Sequence, residues 1–154
     1  MSLRVVAVSA ERPDLVEEWR AIHNEIIPTS PLSEQDLVDR LGRHRLTVAY
    51  DGDVLVANAT VRPPGPDSSV ATVIVRVLPA YRRRGIGSAY LEQVLADARA
   101  AGAERIETVV LASNEDGLAF AHGHGFVEHD RYTLEGQTIP FVDLHLAGGQ
   151  VEGE

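Results

Sequence analysis

The sequence predicts a mixed α/β fold with a sheet that is only partly parallel. Three observations carry this. Strand-like and helix-like segments follow one another in the order β, α, α, β, β, β, α, β, α, β, β. Val70–Leu78 is almost continuously apolar, which puts that strand at the sheet centre with both faces buried. Two segments repeat apolar residues at helical spacing, Leu15/Trp19/Ile22/Ile26 and Leu91/Val94/Leu95/Ala98, so each presents one stripe to a core. The 154 residues suit one domain, read as 1–146 with a disordered acidic tail over 147–154.

Leu3–Ser9 reads as the opening strand. Pro13 suits the first turn of a helix, with Asp14, Glu17 and Glu18 near its positive end, and Pro28 stops it. Ser33 opens a second helix through a capping-box-like Ser33-x-x-Asp36, with Leu37, Val38 and Leu41 as its apolar side. Arg45–Tyr50 and Val54–Arg62 form a hairpin around Asp51-Gly52-Asp53. Pro63–Asp67 is a proline-stiffened loop. Ser88–Ala101 is a strong helix ended by Gly102. Glu104–Ala112 is a strand, Glu115–His124 a short helix, and Phe126–Leu134 and Ile139–Leu146 are closing strands.

Bulk properties narrow the function classes. Without cysteine there is no disulfide framework, thiolate metal site or cysteine nucleophile, which fits a cytoplasmic protein. No apolar run reaches membrane-spanning length, and the N-terminus reads straight into a strand, so neither a membrane partner nor a signal peptide is expected. The net charge of −9 argues against nucleic-acid binding. It fits a cationic or amine-bearing substrate, and equally a plain need for solubility. No metal set is expected, because His122 and His124 are not four apart on a helix and no carboxylate completes them.

The chemistry gathers at Arg82-Arg83-Arg84-Gly85-Ile86-Gly87, between the apolar strand and the Ser88 helix. Unpaired amides, a helix N-terminus and three cations there suit a phosphate. A solvated surface loop is the alternative. A Walker loop is excluded because no lysine precedes Ser88, and a dinucleotide fingerprint lacks its third glycine at Tyr90.

Pro79-x-x-Arg82-x-x-Gly85-x-Gly87, followed by Asn114, Gly117, Phe120 and Gly125-Phe126, resembles the acetyl-CoA segments of the GCN5-related N-acetyltransferase (GNAT) family. The element order agrees from Leu3 to Leu146. The resemblance implies a mostly antiparallel seven-stranded sheet with a central, splayed parallel pair and helices on both faces. It implies acyl transfer from acetyl-CoA, or another acyl-CoA, to an amine of a small molecule or peptide. The implied cofactor contacts are Val77, Leu78, Arg82, Arg83, Arg84, Gly85, Ile86, Gly87, Ser88 and Asn114. Among them the loop takes the diphosphate, Gly85 and Gly87 allow its close approach, and the backbone near Val77 pairs the pantetheine arm. Asn114 can equally serve as a helix cap.

Two positions depart from the family pattern. The usual tyrosine acid, before Gly125-Phe126, is replaced by Ala121, and the glutamate base some members carry is replaced by Val109. Glu107 shares strand parity with Val109 and is one candidate base, or an ordinary surface carboxylate. His124, three residues after Ala121, is a candidate proton carrier, or a structural histidine at the Gly-Phe corner. Tyr132 can reach the cleft or pack at its rim, and His23 and Glu25 lie where the family shapes its acceptor pocket. Direct transfer needs no strong protein acid if amine and thioester are held in contact. The two missing groups keep a second reading open, a non-catalytic acyl-CoA-binding or sensor domain, and a third is a phosphate-binding protein without CoA. The sequence names neither the acceptor nor the acyl group, and leaves a homodimer through the last strands open.

Overall fold

The computed structural model describes residues 2–147, so most of the expected tail lies outside the described residues. Seven strands form one sheet: β1 (Leu3–Ala7), β2 (Arg45–Asp51), β3 (Val54–Arg62), β4 (Val70–Val77), β5 (Arg105–Leu111), β6 (Phe126–Tyr132) and β7 (Phe141–Leu146). Four helices accompany them: α1 (Pro13–Ile26), α2 (Glu34–Leu41), α3 (Ile86–Ala100) and α4 (Glu115–Gly123). The sheet order is β1-β2-β3-β4-β5-β7-β6, so the apolar strand β4 is central as expected. All neighbours are antiparallel except β4 and β5.

The local signals act as their chemistry predicts. Pro13 occupies the first turn of α1. The Ser33 hydroxyl accepts from Asp36 N–H at 3.1 Å and the Asp36 carboxylate accepts from Ser33 N–H at 2.9 Å, a complete capping box. Two corrections concern helix ends. α3 begins at Ile86 rather than Ser88, because Gly85 takes φ +81° and turns the chain straight into the helix. α4 ends at Gly123, leaving His124 outside it.

Each sheet face has its own core. Trp19, Leu15, Val16 and Leu37 cover Leu46 and Val48 on the α1/α2 face. Ile86, Tyr90, Leu91, Val94 and Ala98 of α3 cover Ala57, Ala59, Ala71 and Val73 on the other. Trp19 is fully buried, and its indole N–H donates to the Ala59 carbonyl at 3.1 Å. Asn58 of β3 returns a bond to the Trp19 carbonyl at 3.0 Å, fixing α1 against the sheet. The pair satisfies two buried polar groups that would otherwise be orphaned.

Candidate active site

β4 and β5 pair only through Val70–Arg105, Ala71–Ile106 and Thr72–Glu107. Beyond Thr72 the two strands separate, so their facing edges lack a ladder partner. Two cavities occupy the gap. One, of about 370 Å³, lies under the glycine turn. The other, of about 390 Å³, is lined from both faces of the sheet, by His23 and Arg40 of α1 and α2 and by Leu91 and Ala121 of α3 and α4. Ile26, Val75, Arg76, Asn114, Gly117 and Phe120 line both, so the cavities meet there.

The turn-side cavity gathers Val77, Arg82, Arg83, Gly85, Gly87, Ser88 and Asn114 from the expected contacts. Leu78, Arg84 and Ile86 stand apart. Leu78 N–H pairs with the Val56 carbonyl, Arg84 lies over the Tyr81 ring, and Ile86 is buried in the core. Arg83 takes φ +66°, the only non-glycine residue with positive φ among the described residues. It and Gly85 bracket a backbone concavity of the kind that binds anions. No side chain caps α3, so its first amides face this turn without a protein partner.

The two glycines answer different demands. A Cβ on Gly85 would meet open space, so its constraint is its positive φ. A Cβ on Gly87 would point inward, 3.0 Å from Phe120 Cε1, so that glycine lets α3 approach α4. Arg82 is also structural. Its Nε donates to the Val77 carbonyl at 2.8 Å and its Nη1 to Asp116 at 3.3 Å. The Val77 carbonyl is therefore already engaged by its own chain. Asn114 Oδ1 accepts from Gly117 N–H at 2.9 Å, the capping role, while its side chain borders both cavities. The open cradle at Gly85 and the uncapped amides of α3 fit a diphosphate group.

The sheet-side cavity has cationic walls. Arg40 from α2, Arg62 from β3 and Arg76 from β4 line it, with His23, Ser30 and Tyr132, and no carboxylate does. Arg76 is 8 % exposed and packs over the Trp19 ring. Burial, then the nearby Arg40 and Arg62, pulls its guanidinium down to about 9, which still leaves it charged at neutral pH. His23 is stacked on Trp19 and held down to about 4, chiefly by burial and next by Arg76. Leu32 fixes the Asn24 amide through bonds at 2.9 and 3.1 Å, which turns Asn24 Oδ1 toward His23 Nδ1. That orientation assigns the proton of neutral His23 to Nδ1 and leaves Nε2 an acceptor.

Ala121 and Val109 both line this cavity, presenting apolar surface where the family pattern carries acid and base. Glu107 does not line it. It accepts from Thr72 Oγ1 at 3.0 Å and sits 3.3 Å from His145 Nε2, where the strands are still paired. His124 lies on the opposite side, with Nδ1 2.9 Å from the Phe120 carbonyl and Nε2 2.9 Å from Ser88 Oγ. The helical spacing that linked it to Ala121 fails because α4 has already ended. Glu25 is exposed. Sequence reasoning missed the three arginines. The available signal was Arg76, a lone charge inside the run Val-Ala-Thr-Val-Ile-Val-Arg-Val.

The sequence model of the acetyltransferase (GNAT) family matches residues 12–126. The chain belongs to that family. A mycothiol acetyltransferase of Kocuria rhizophila is 40% identical over 85 residues, covering 53% of this chain and 27% of that protein. The chain thus spans only about a quarter of that relative's length. Among solved structures, NAA60 of Arabidopsis thaliana with a bisubstrate analogue superposes at TM-score 0.74, with 17% identity over 94% of this chain and 97% of that one. An N-acetyltransferase of Staphylococcus aureus superposes at 0.72, with 17% identity over 96% and 100%. The Salmonella typhimurium protein yncA, with its cofactor acetyl-CoA, superposes at 0.70, with 14% identity over 95% and 94%. At these identities the structural likeness concerns the fold.

Proposed function

We propose that the protein transfers an acyl group, acetyl first among the candidates, from acyl-CoA directly to the amine of a small molecule or peptide. The carrying observation is the meeting of two cavities at Arg76, Asn114 and Phe120, across strands that have parted. Acyl-CoA, when bound, supplies an activated thioester carbonyl. The amides of Arg83–Gly87 and the N-terminus of α3 hold its diphosphate, beside the exposed Arg83, whose Nη2 lies 3.7 Å from Asp116 Oδ1. The free edge of β4 aligns its arm, and Asn114 fixes the turn where that arm ends.

On the other side, the sheet-side cavity holds the amine against the junction. The N–C bond forms as the C–S bond breaks, and the amine proton leaves to solvent or to the departing sulfur. The chain places no carboxylate or tyrosine at Val109 and Ala121 to carry that proton. Holding the reactants in contact supplies much of the barrier reduction instead. The guanidiniums add to it by disfavouring the ammonium form, so the amine arrives neutral. Glu107 and His124 hold the sheet and the Ser88 turn.

The test is release of free thiol from acetyl-CoA with a panel of amines, together with mass detection of the acetylated product. Protection from heat by CoA with no product from any amine would favour the second reading, a binding or sensor module. That reading is favoured by the apolar Val109 and Ala121. A single confirmed product rules it out.

A further inference from the structure

We propose that the acceptor carries an oxyanion, a carboxylate or phosphate-type group, held by Arg62 and Arg40 while its amine reaches the junction beside Arg76. The inference rests on the reading of this cavity as the acceptor site and adds the chemical class of the acceptor. Three observations lead to it. First, the wall charge has no carboxylate in direct contact. None of Arg40, Arg62 or Arg76 forms an ion pair among the described residues, although seven such pairs occur elsewhere. Second, hydrogen-bonding capacity is left over. Arg76 donates only to neutral oxygens, Asn58 Oδ1 at 3.3 Å and Thr60 Oγ1 at 3.5 Å, and its buried Nε has no partner. The Nε of Arg62 is likewise buried and unpartnered. Buried donors of this kind are ordinarily satisfied, and a buried charge without a counter-ion is unfavourable. An arriving oxyanion supplies the counter-charge, and guanidinium matches its planar geometry in two-point contacts. Third, the space of about 390 Å³ suits an amine of amino-acid size.

The same arrangement excludes other acceptors. A polycationic amine would face three guanidiniums and no carboxylate. The net charge of −9 gives no warning of this, because the acidic residues lie outside the cavity. Nor do Glu107, Asp143 or Asp130, on the uncovered half of the sheet, line it.

The experiment compares ligands matched in shape and differing in charge. The full chain, with CoA in excess so that the glycine turn is filled, is titrated calorimetrically with three product analogues: N-acetylated small amino acids, their phosphonate counterparts and their carboxamides. The anionic members are expected to bind at least tenfold more tightly than the carboxamides. Arg62→Gln, at a half-buried position with no protein partner for its Nε, is expected to abolish that preference while leaving CoA affinity unchanged. Arg40→Gln is expected to reduce it. A preference for either anion class supports the proposal and names the class. Equal binding across the pairs, binding of none, or a preference that survives both substitutions overturns it. Turnover separates this outcome from that of the parent reading. Acetylation of neutral or cationic amines with no anionic acceptor overturns the oxyanion and leaves acyl transfer standing. A charge preference in binding with no acetylated product does the reverse.

Discussion

Single residues set the chemistry and the pH limits of this protein. His23 is 4 % exposed and neutral, with its folded pKa held to about 4 against an ordinary 6.5. A histidine with a depressed folded pKa binds its proton more tightly in the unfolded chain. Its contribution is therefore whole above about pH 6.5 and is lost as pH falls toward 4. The loss amounts to about 3 kcal/mol at the acid end. Urea unfolding at pH 7.5 and 4.5 is expected to show it, and His23→Asn is expected to flatten the difference. His44 is shifted in the same direction, chiefly by burial and next by Arg62, so the flattening will be partial. The glycines give a second residue-scale outcome. Gly87→Ala drives a methyl against Phe120, whereas Gly85→Ala forces a left-handed alanine costing roughly 1 kcal/mol. Both are expected to weaken CoA binding several-fold by calorimetry. Only Gly87→Ala is expected to loosen the contact between α3 and α4, read as faster amide exchange in α4.

At the scale of elements, α4 is short and depends on its cap. Asn114 is the only side-chain cap of its nine residues, and Gly117 leaves room for it, since a Cβ there would sit 2.5 Å from Asn114 Nδ2. Asn114→Ala is expected to lower stability by about 1 kcal/mol, measured by denaturant unfolding. Because Asn114 also borders both cavities, the same change is expected to raise the KM for acyl-CoA. Asn114→Ser separates the roles, restoring a cap without the amide. The splay of β4 from β5 is likewise an element property. Past Thr72, β4 stays paired with β3 as far as Val77 and β5 stays paired with β7 as far as Leu111, so each strand keeps a different neighbour.

For the whole molecule, the consequence is a two-part site whose halves share Ile26, Val75, Arg76, Asn114, Gly117 and Phe120 and draw their other walls from different stretches of the chain. Besides these, the turn side adds residues of the 77–88 stretch and of α4, and the sheet side adds residues of α1, α2, β3, β5, β6 and β7, with Leu91 of α3 and Ala121 of α4. Ligand binding to the folded state alone raises the unfolding free energy, by about 2.7 kcal/mol at a hundredfold excess over Kd. For a chain of this size that corresponds to a Tm increase of roughly 5–10 °C. CoA is expected to produce it, and Arg83→Ala with Gly85→Ala is expected to remove most of it.

Much of the fold was legible because its signals are local. The Ser33 capping box, Pro13 in the first turn of α1 and the apolar run of β4 each depend on near neighbours in sequence. The turn at Gly85–Gly87 was legible for the same reason, since one short stretch supplies both the positive φ and the helix N-terminus. The rest of the site was not. Glu107 kept its predicted parity and was still claimed by Thr72 and His145, a matter of which strands pair. His124 lost its predicted face because α4 ended one residue early, a matter of how the chain turns through Gly125 at φ +91°. The order of elements, the family pattern and the glycine turn proposed to take a diphosphate are all carried by local sequence. What lines the sheet-side cavity depends instead on how distant elements pack. Arg40, Arg62 and Arg76 lie far apart along the chain and become one cationic wall when α2, β3 and β4 are packed together. Charge adds through space, and local sequence cannot report which charges will share a cavity.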